Sequence, residues 1–296
     1  MRVTQTLYNT ICVFERRYKA ILCNKKPQML MVVRRCEGNS IELTKLKEMM
    51  QNQYSVHVFT VSLDTFARVS YIDASTNLLY ISGTPIAVVY YRCAYTPVDF
   101  AGDAERRAYC EIEKSLAIKC PSIDFHLAGL KRVQQELSDA KVLGTYVSED
   151  EAKQLRGIFV DMYNFTQPLP PWVVEEVGTR PTDFVIKPQR EGGGNNIWGT
   201  GVSKLVTELV GGTEDASKYI LMRIIPTTAN TYSRVLDNRV CVDVCIHELG
   251  IFSAMLYDTH LERFYENTVL GYLLRTKPQD HNEGGVMTGD SVISAV

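Results

Sequence analysis

DFVIKPQREGGGNNIW, residues 183–198, is the stretch on which the reading of the fold turns. An apolar run ends on Lys187 and passes into Pro188, Gln189, Arg190, Glu191, three consecutive glycines (Gly192, Gly193, Gly194), Asn195 and Asn196. Glycine lacks a Cβ, so its amide N–H approaches an anion closely and its backbone accepts φ > 0. A lysine closing a strand neutralises phosphate oxygens. Glu191 is an oxygen ligand of the kind Mg²⁺ takes together with phosphates, and the two asparagines can orient phosphate or metal-bound water. A plain hairpin turn would account for the glycines, but it needs neither the flanking charges nor ten residues.

Outward from this loop, LLRTKPQDHNEGGVMTG (273–289) repeats the pattern. Arg275 and Lys277 lie two apart at a strand end and so share a face. Arginine clamps a carboxylate with two parallel bonds, lysine suits phosphate, and Gly284–Gly285 offers a second close backbone approach. Glu248, in IHELGIF, interrupts an apolar strand and calls for a partner, whether the cation of a buried ion pair, a metal or a nucleotide ribose. Arg92 closes IAVVYY, where strand ends in α/β sheets meet ligands. Neither a GxxxxGK[ST] phosphate loop nor a GxGxxG fingerprint is present.

The 296 residues carry a net charge of −2, with 45% hydrophobic and 22% charged residues, enough for two domains and a sizeable core. The balance gives no basic footprint for nucleic acid, no apolar run of membrane-spanning length, and the expectation of a cytoplasmic protein. The eight cysteines form no CxxC pair and the histidines no metal spacing, so reduced, structural thiols are expected.

The expected architecture is α/β followed by α+β. MLMVV (29–33) and VHVFTV (56–61) read as buried parallel strands flanking a helix capped by Ser40, with Leu43, Leu46 and Met50 on its inner face. Residues 78–92 read as a hairpin with Gly83 in the turn, and 104–119 and the Leu130–Leu137 segment as helices. Ser148 and Glu151 form a capping box. QPLPPW (167–172) is a connector. Four strands are expected in DFVIK, YILMRII, VCVDVCIHELGIF and RFYENTVLGYLLRTK, the first two separated by the loop and an amphipathic helix, VSKLVTELV. A composition shift near residue 120 marks a boundary.

With these motifs in place, the chain resembles eukaryotic glutathione synthetase, an ATP-grasp ligase family. KPQREGGGNN carries the resemblance most specifically. LAGLKRVQQELS, YILM, ELGIF and LLRTK…GGV follow in the family's order from about Met29 onward. The resemblance implies an ATP-grasp fold with a smaller parallel-sheet α/β substrate domain: a helical N-terminal segment 1–28, a substrate-binding domain 29–120 and an ATP-binding domain 121–296. It implies ATP-dependent joining of glycine to γ-glutamylcysteine through an acyl phosphate, with ATP and Mg²⁺ as cofactors and a possible homodimer.

Residue by residue, the resemblance implies Lys131 and Lys187 on ATP phosphates and 187–196 as the loop over them, with Glu191 a Mg²⁺ ligand. Trp198 stands at a tyrosine position by the nucleotide. Met222, Arg223, Ile224 and Ile225 line the adenine, Glu248 holds the ribose side, and Lys277 and Glu283 complete the ATP set. Arg275 grips a substrate carboxylate and, with Lys187, is the catalytic expectation. Val286 and Met287 face the substrate. Glu37, Gly38, Asn39, Arg92, Cys93, Ala94 and Tyr95 bind the dipeptide.

The departures concentrate on the substrate side. Leu43 replaces a glutamine, Cys93–Ala94 an aspartate–glycine pair, Val98 an arginine and Met287 an alanine. Arg223–Ile224 replaces a glutamate–lysine pair, and the family's long N-terminal segment has no counterpart before MLMVV. The alternative this leaves is a relative that binds nucleotide or thiol peptide without normal glutathione production.

Overall fold

The computed structural model describes all residues except 1, 39, 190–193, 237, 287–288, 290 and 295–296. The chain divides into two compact units: residues 1–126 with 251–272, and residues 127–250 with 273–296. Among the described residues no helix is long and apolar enough to cross a membrane, and all eight cysteines are free.

The first unit begins with helices α1 (Arg2–Arg17) and α2 (Lys19–Leu22). It is built on a sheet of β1 (Gln28–Val32), β2 (Val58–Val61), β3 (Ser70–Ile72), β4 (Leu79–Ile81), β5 (Thr84–Tyr91) and β6 (Ile118–Cys120). The order is β2-β1-β5-β4-β3, with β6 also paired to β5. β1 lies parallel to both β2 and β5, as the uninterrupted MLMVV run predicts for a strand covered on both sides. Met29 and Met31 turn to one face, where α1 and α3 (Ser40–Tyr54) bring Leu7, Ile11, Phe14, Leu43, Leu46 and Met50. Leu30 and Val32 turn to the other, against Leu63 and Phe66 of α4 (Leu63–Val69) and Ala108 and Ile112 of α5 (Asp103–Lys114). Ser40, expected as a cap, is the first residue of α3 itself.

The helix expected over 104–119 is shorter. It ends at Lys114, where the Ser115 hydroxyl folds back on the Ile112 carbonyl at 2.7 Å and the Leu116 amide donates to Asn77. Pairing with β5 then recruits Ile118–Cys120 as a strand: a vacant sheet edge outweighs local helical preference.

From α6 (Ile123–Ala128) the chain enters the second unit through α7 (Lys131–Leu137), α8 (Ala140–Leu143) and α9 (Glu149–Arg156). The Ser148–Glu151 capping box forms as read. β7 (Met162–Asn164), β8 (Phe184–Pro188) and β9 (Tyr219–Arg223) make an antiparallel sheet in the order β7-β9-β8. Over it lie α10 (Pro171–Thr179), which begins inside the proline-rich connector, and α11 (Thr200–Val210), which packs Val202 and Val206 with Phe184, Ile186 and Leu221. A second sheet runs β10 (Asn230–Leu236), β11 (Arg239–Asp258), β12 (Arg263–Pro278), β13 (Val292–Ser294). The far ends of β11 and β12, within 251–272, belong to the first unit. There Asp258 is ion-paired with Arg17.

Candidate functional site

The glycine loop is fastened at both ends to one strand. Ile186 donates to the Ile197 carbonyl at 3.0 Å and accepts from the Ile197 amide at 2.9 Å, so the chain that leaves β8 after Pro188 is back at its edge by Ile197. Gly201 holds the return tightly, since a Cβ there would stand 3.0 Å from the Ile197 side chain. Gln189 is tethered through its amide to the Lys218 carbonyl at 2.7 Å and through its side chain to the Arg132 amide at 3.1 Å. Pro188 ends β8 half-buried. Arg190, Glu191, Gly192 and Gly193 lie outside the described residues.

The described part of the loop already holds an anion. The Gly194 amide, at φ +81°, donates to the Glu283 carboxylate. The Asn196 amide reaches the same carboxylate at 3.3 Å and the Trp198 indole N–H at 3.4 Å. Lys187 stands half-buried beside this group. Its ammonium is pushed below the ordinary lysine range by burial first and by Lys131 second, with Glu283 pulling the other way. Two cations and a set of inward amides therefore converge where the sequence asked for a phosphate-sized anion. Asn195, half-buried, has contacts of its own.

On β11 and β12 a second charge cluster forms around Glu248. Arg275 donates to one carboxylate oxygen at 2.7 Å and Lys277 lies 3.0 Å from the other. Arg275 is 43% exposed and Lys277 8%, so only Arg275 is placed to exchange Glu248 for an incoming carboxylate. An exposed pair is worth about 0–1 kcal/mol. Removing the partner of a buried cation costs about 3–5 kcal/mol, so Lys277 is the group Glu248 is needed for. Lys277 also donates to the Asn282 carbonyl at 3.1 Å, next to Glu283. Val286 is exposed; Met287 is outside the described residues.

Along β9, Met222 and Ile224 are half-buried and Ile225 is 57% exposed. The amides of Arg223 and Ile224 are used within the unit, on the carbonyls of Asp161 and Asp183. The Arg223 side chain turns onto Glu176 of α10 with two bonds of 2.7 and 3.1 Å and lies over Phe184. A residue expected to line the adenine is thus engaged in fastening β9 to α10.

In the first unit, Arg92 extends from the carboxyl end of β5, its amide on the Val32 carbonyl. Its guanidinium meets the Tyr90 hydroxyl at 3.3 Å and Glu42 at 3.1 Å, while among the described residues its buried Nε has no hydrogen-bond partner. Glu37 is half-buried and Gly38 exposed; Asn39 lies outside the described residues. Cys93 and Ala94 are buried. Burial, with Asp99 adding to it, raises the Cys93 thiol to about 12, so it stands there as a neutral thiol. Ala94 sits at φ +70°, in a turn organised by Asp99, whose carboxylate accepts from the amides of Ala94, Tyr95 and Thr96, from the Thr96 hydroxyl, and from Arg34 at 2.6 Å. Sequence reading passed over Arg34, Glu42, Glu176 and Asp99. Asp99 alone had a local signal: T-P-V-D, residues 96–99, is a capping box. Among the described residues no group of three His, Cys, Asp or Glu is disposed to hold a metal ion.

Comparison with known proteins fits this geometry. The family model for the eukaryotic glutathione synthase ATP-binding domain matches residues 4–296. The chain is 34% identical over 279 residues to the glutathione synthetase large chain of Schizosaccharomyces pombe, covering 92% of this chain and 55% of that one. It is 33% identical over 276 residues to the chloroplastic glutathione synthetase of Arabidopsis thaliana, covering 92% and 50%, and 33% identical over 242 residues to the glutathione synthetase of Homo sapiens, covering 81% and 50%. The chain thus spans about half the length of the curated relatives it matches. The apo structure of a glutathione synthetase-like effector from Globodera pallida superposes with a TM-score of 0.69 over 99% of this chain and 60% of that one, at 16% identity. The α/β and α+β sheets share the fold of that glutathione synthetase-like structure, and the chain belongs to the eukaryotic glutathione synthase family.

Proposed function

We propose that the chain binds ATP through the loop between Ile186 and Ile197 and serves an ATP-dependent ligase that joins glycine to γ-glutamylcysteine. The observation that carries this reading is the loop itself: its amides already hold a carboxylate beside Lys187, with Lys131 near enough to depress that lysine. A site that accepts one oxyanion between two lysines is suited to the phosphates of a nucleotide. Lys187 and Lys131 neutralise phosphate oxygens, Lys277 is fixed by Glu248, and Arg275 is the exposed cation available to a substrate carboxylate. In the first unit, Arg92 and the Asp99-organised turn at Ala94–Thr96 hold the dipeptide. Glu191 is the proposed protein ligand for Mg²⁺, which would supply neutralisation of phosphate charge when bound. Catalysis of this kind is chiefly positioning and charge neutralisation.

The test is ADP release by the purified chain, measured with ATP and Mg²⁺ while γ-glutamylcysteine and glycine are omitted in turn. ADP formation that requires both is the expected result. ATP binding without such release, in a demonstrably folded chain, rejects the ligase reading.

Lys187 adds a pH signature. Its proton is held less tightly than an ordinary lysine's in the nucleotide-free protein, and a polyphosphate beside it raises its affinity for that proton. ATP binding is therefore expected to take up protons as the pH climbs toward the ordinary lysine range. Calorimetric binding enthalpies in buffers of different ionisation enthalpy check this. Uptake that is unchanged when Lys187 becomes arginine sinks the assignment.

A further inference from the structure

We infer that Glu283 is a resident anion: in the nucleotide-free chain its carboxylate occupies the glycine-loop amides, and an incoming polyphosphate must displace it. The inference rests on the nucleotide reading of the loop and goes beyond it, since it assigns Glu283 a competing role.

The geometry is specific. Three donors from one five-residue stretch, the amides of Gly194 and Asn196 and the indole of Trp198, converge on one side chain that is 85 to 89 residues distant in sequence. Gly194 adopts φ +81° to aim its N–H there, a conformation glycine takes without steric cost. The same carboxylate favours the charged form of Lys187 against burial and Lys131. It therefore supplies, from within the chain, the amide contacts and the countercharge that a phosphate would. Two anions on the same amides repel each other, so a phosphate and Glu283 exclude one another.

The chain around Glu283 is arranged for exchange. Gly284 and Gly285 follow it directly. Asn282 before it is held by Lys277, which is also the partner of Glu248. A phosphate that draws Lys277 away from Asn282 loosens the segment carrying the competitor. Charge capture at Lys277 and release of the loop amides are thereby coupled.

The chain has two tryptophans, so Trp172→Phe leaves Trp198 as the sole reporter. Without nucleotide, Glu283→Ala is expected to shift Trp198 emission and to speed hydrogen exchange at the Gly194 and Asn196 amides by about tenfold or more, as loss of charge-assisted bonds dictates. Unchanged emission and exchange overturn self-occupation whether or not ATP binds. With Mg²⁺–ATP, calorimetry of Glu283→Gln is expected to give about tenfold tighter binding than the parent, because a neutral amide competes less for the N–H donors. Weaker binding shows that the carboxylate works with the nucleotide and overturns the competition. If neither protein binds ATP, the nucleotide reading falls with the competition, while the exchange result still decides self-occupation.

Discussion

Replacing Lys187 by methionine is expected to abolish measurable turnover while leaving the nucleotide-free protein as stable as before or slightly more so. The two effects have one cause. A preorganised charge at a phosphoryl-transfer site contributes about 10²–10³-fold to the rate. The same charge is half-buried and faces Lys131, and its depressed proton affinity shows that the folded chain bears a cost to keep it ionised. Methionine retains the stem and removes that cost, so the melting temperature should hold or rise slightly. Lys131→Met should also impair binding, but Lys187 then titrates closer to an ordinary lysine, and the proton uptake described above should shrink with it. Equal losses of stability and activity in Lys187→Met would show that the lysine is structural.

Asp99→Asn is expected to have the largest effect on the first unit's stability, about 2–4 kcal/mol, from a side chain with five donors around it. Its carboxylate is 2% exposed. Asparagine keeps the shape but turns an NH₂ toward amides that can only donate, and Arg34 loses its counter-ion. Thermal denaturation should show a midpoint lower by about 5–12 °C. The comparison is Asp103→Asn, an exposed residue 3.4 Å from Arg106, which should move it by about 1 °C or less. The pH dependence has a fixed sign. Burial would raise the Asp99 carboxyl, but Arg34 and Thr96 outweigh it and hold the group below the usual carboxylate range. Asp64, bound by Arg35 and Ser62, is held at about 2. Both contributions are complete above the ordinary carboxylate range and are lost as the pH falls through the depressed values. Asp99→Asn should therefore flatten the acid limb of the stability curve.

What could be read from the sequence was what local pattern encodes. The unbroken MLMVV run specified a strand buried on both faces, and Met29/Met31 and Leu30/Val32 divide between two cores accordingly. The apolar run, lysine and glycines of 183–198 specified a strand leading into a close-approach loop. The long-range partners were invisible: Arg34 finds Asp99 65 residues away and Gly194 finds Glu283 89 residues away. β3, β7 and β13, three residues each, escaped notice because short strands at sheet margins take their identity from a neighbour's unpaired backbone; the seven-residue edge strand β10 escaped it too. Ile118–Cys120 did so too, and there the local pattern pointed to helix. The substitution of Arg223 was legible, but its consequence, a bond to Glu176, depended on where α10 lies.

The Ile186–Ile197 clasp separates two requirements that a loop usually meets with the same residues. Hydrogen bonds between main-chain atoms set where the segment departs and rejoins, and those atoms are indifferent to what lies between. Closure entropy grows slowly with loop length, by about 0.6 kcal/mol per doubling. Main-chain pairing thus fixes the two ports whatever side chains Ile186 and Ile197 carry, while Lys187, Gln189 and Gly194 between them are left to make their own contacts.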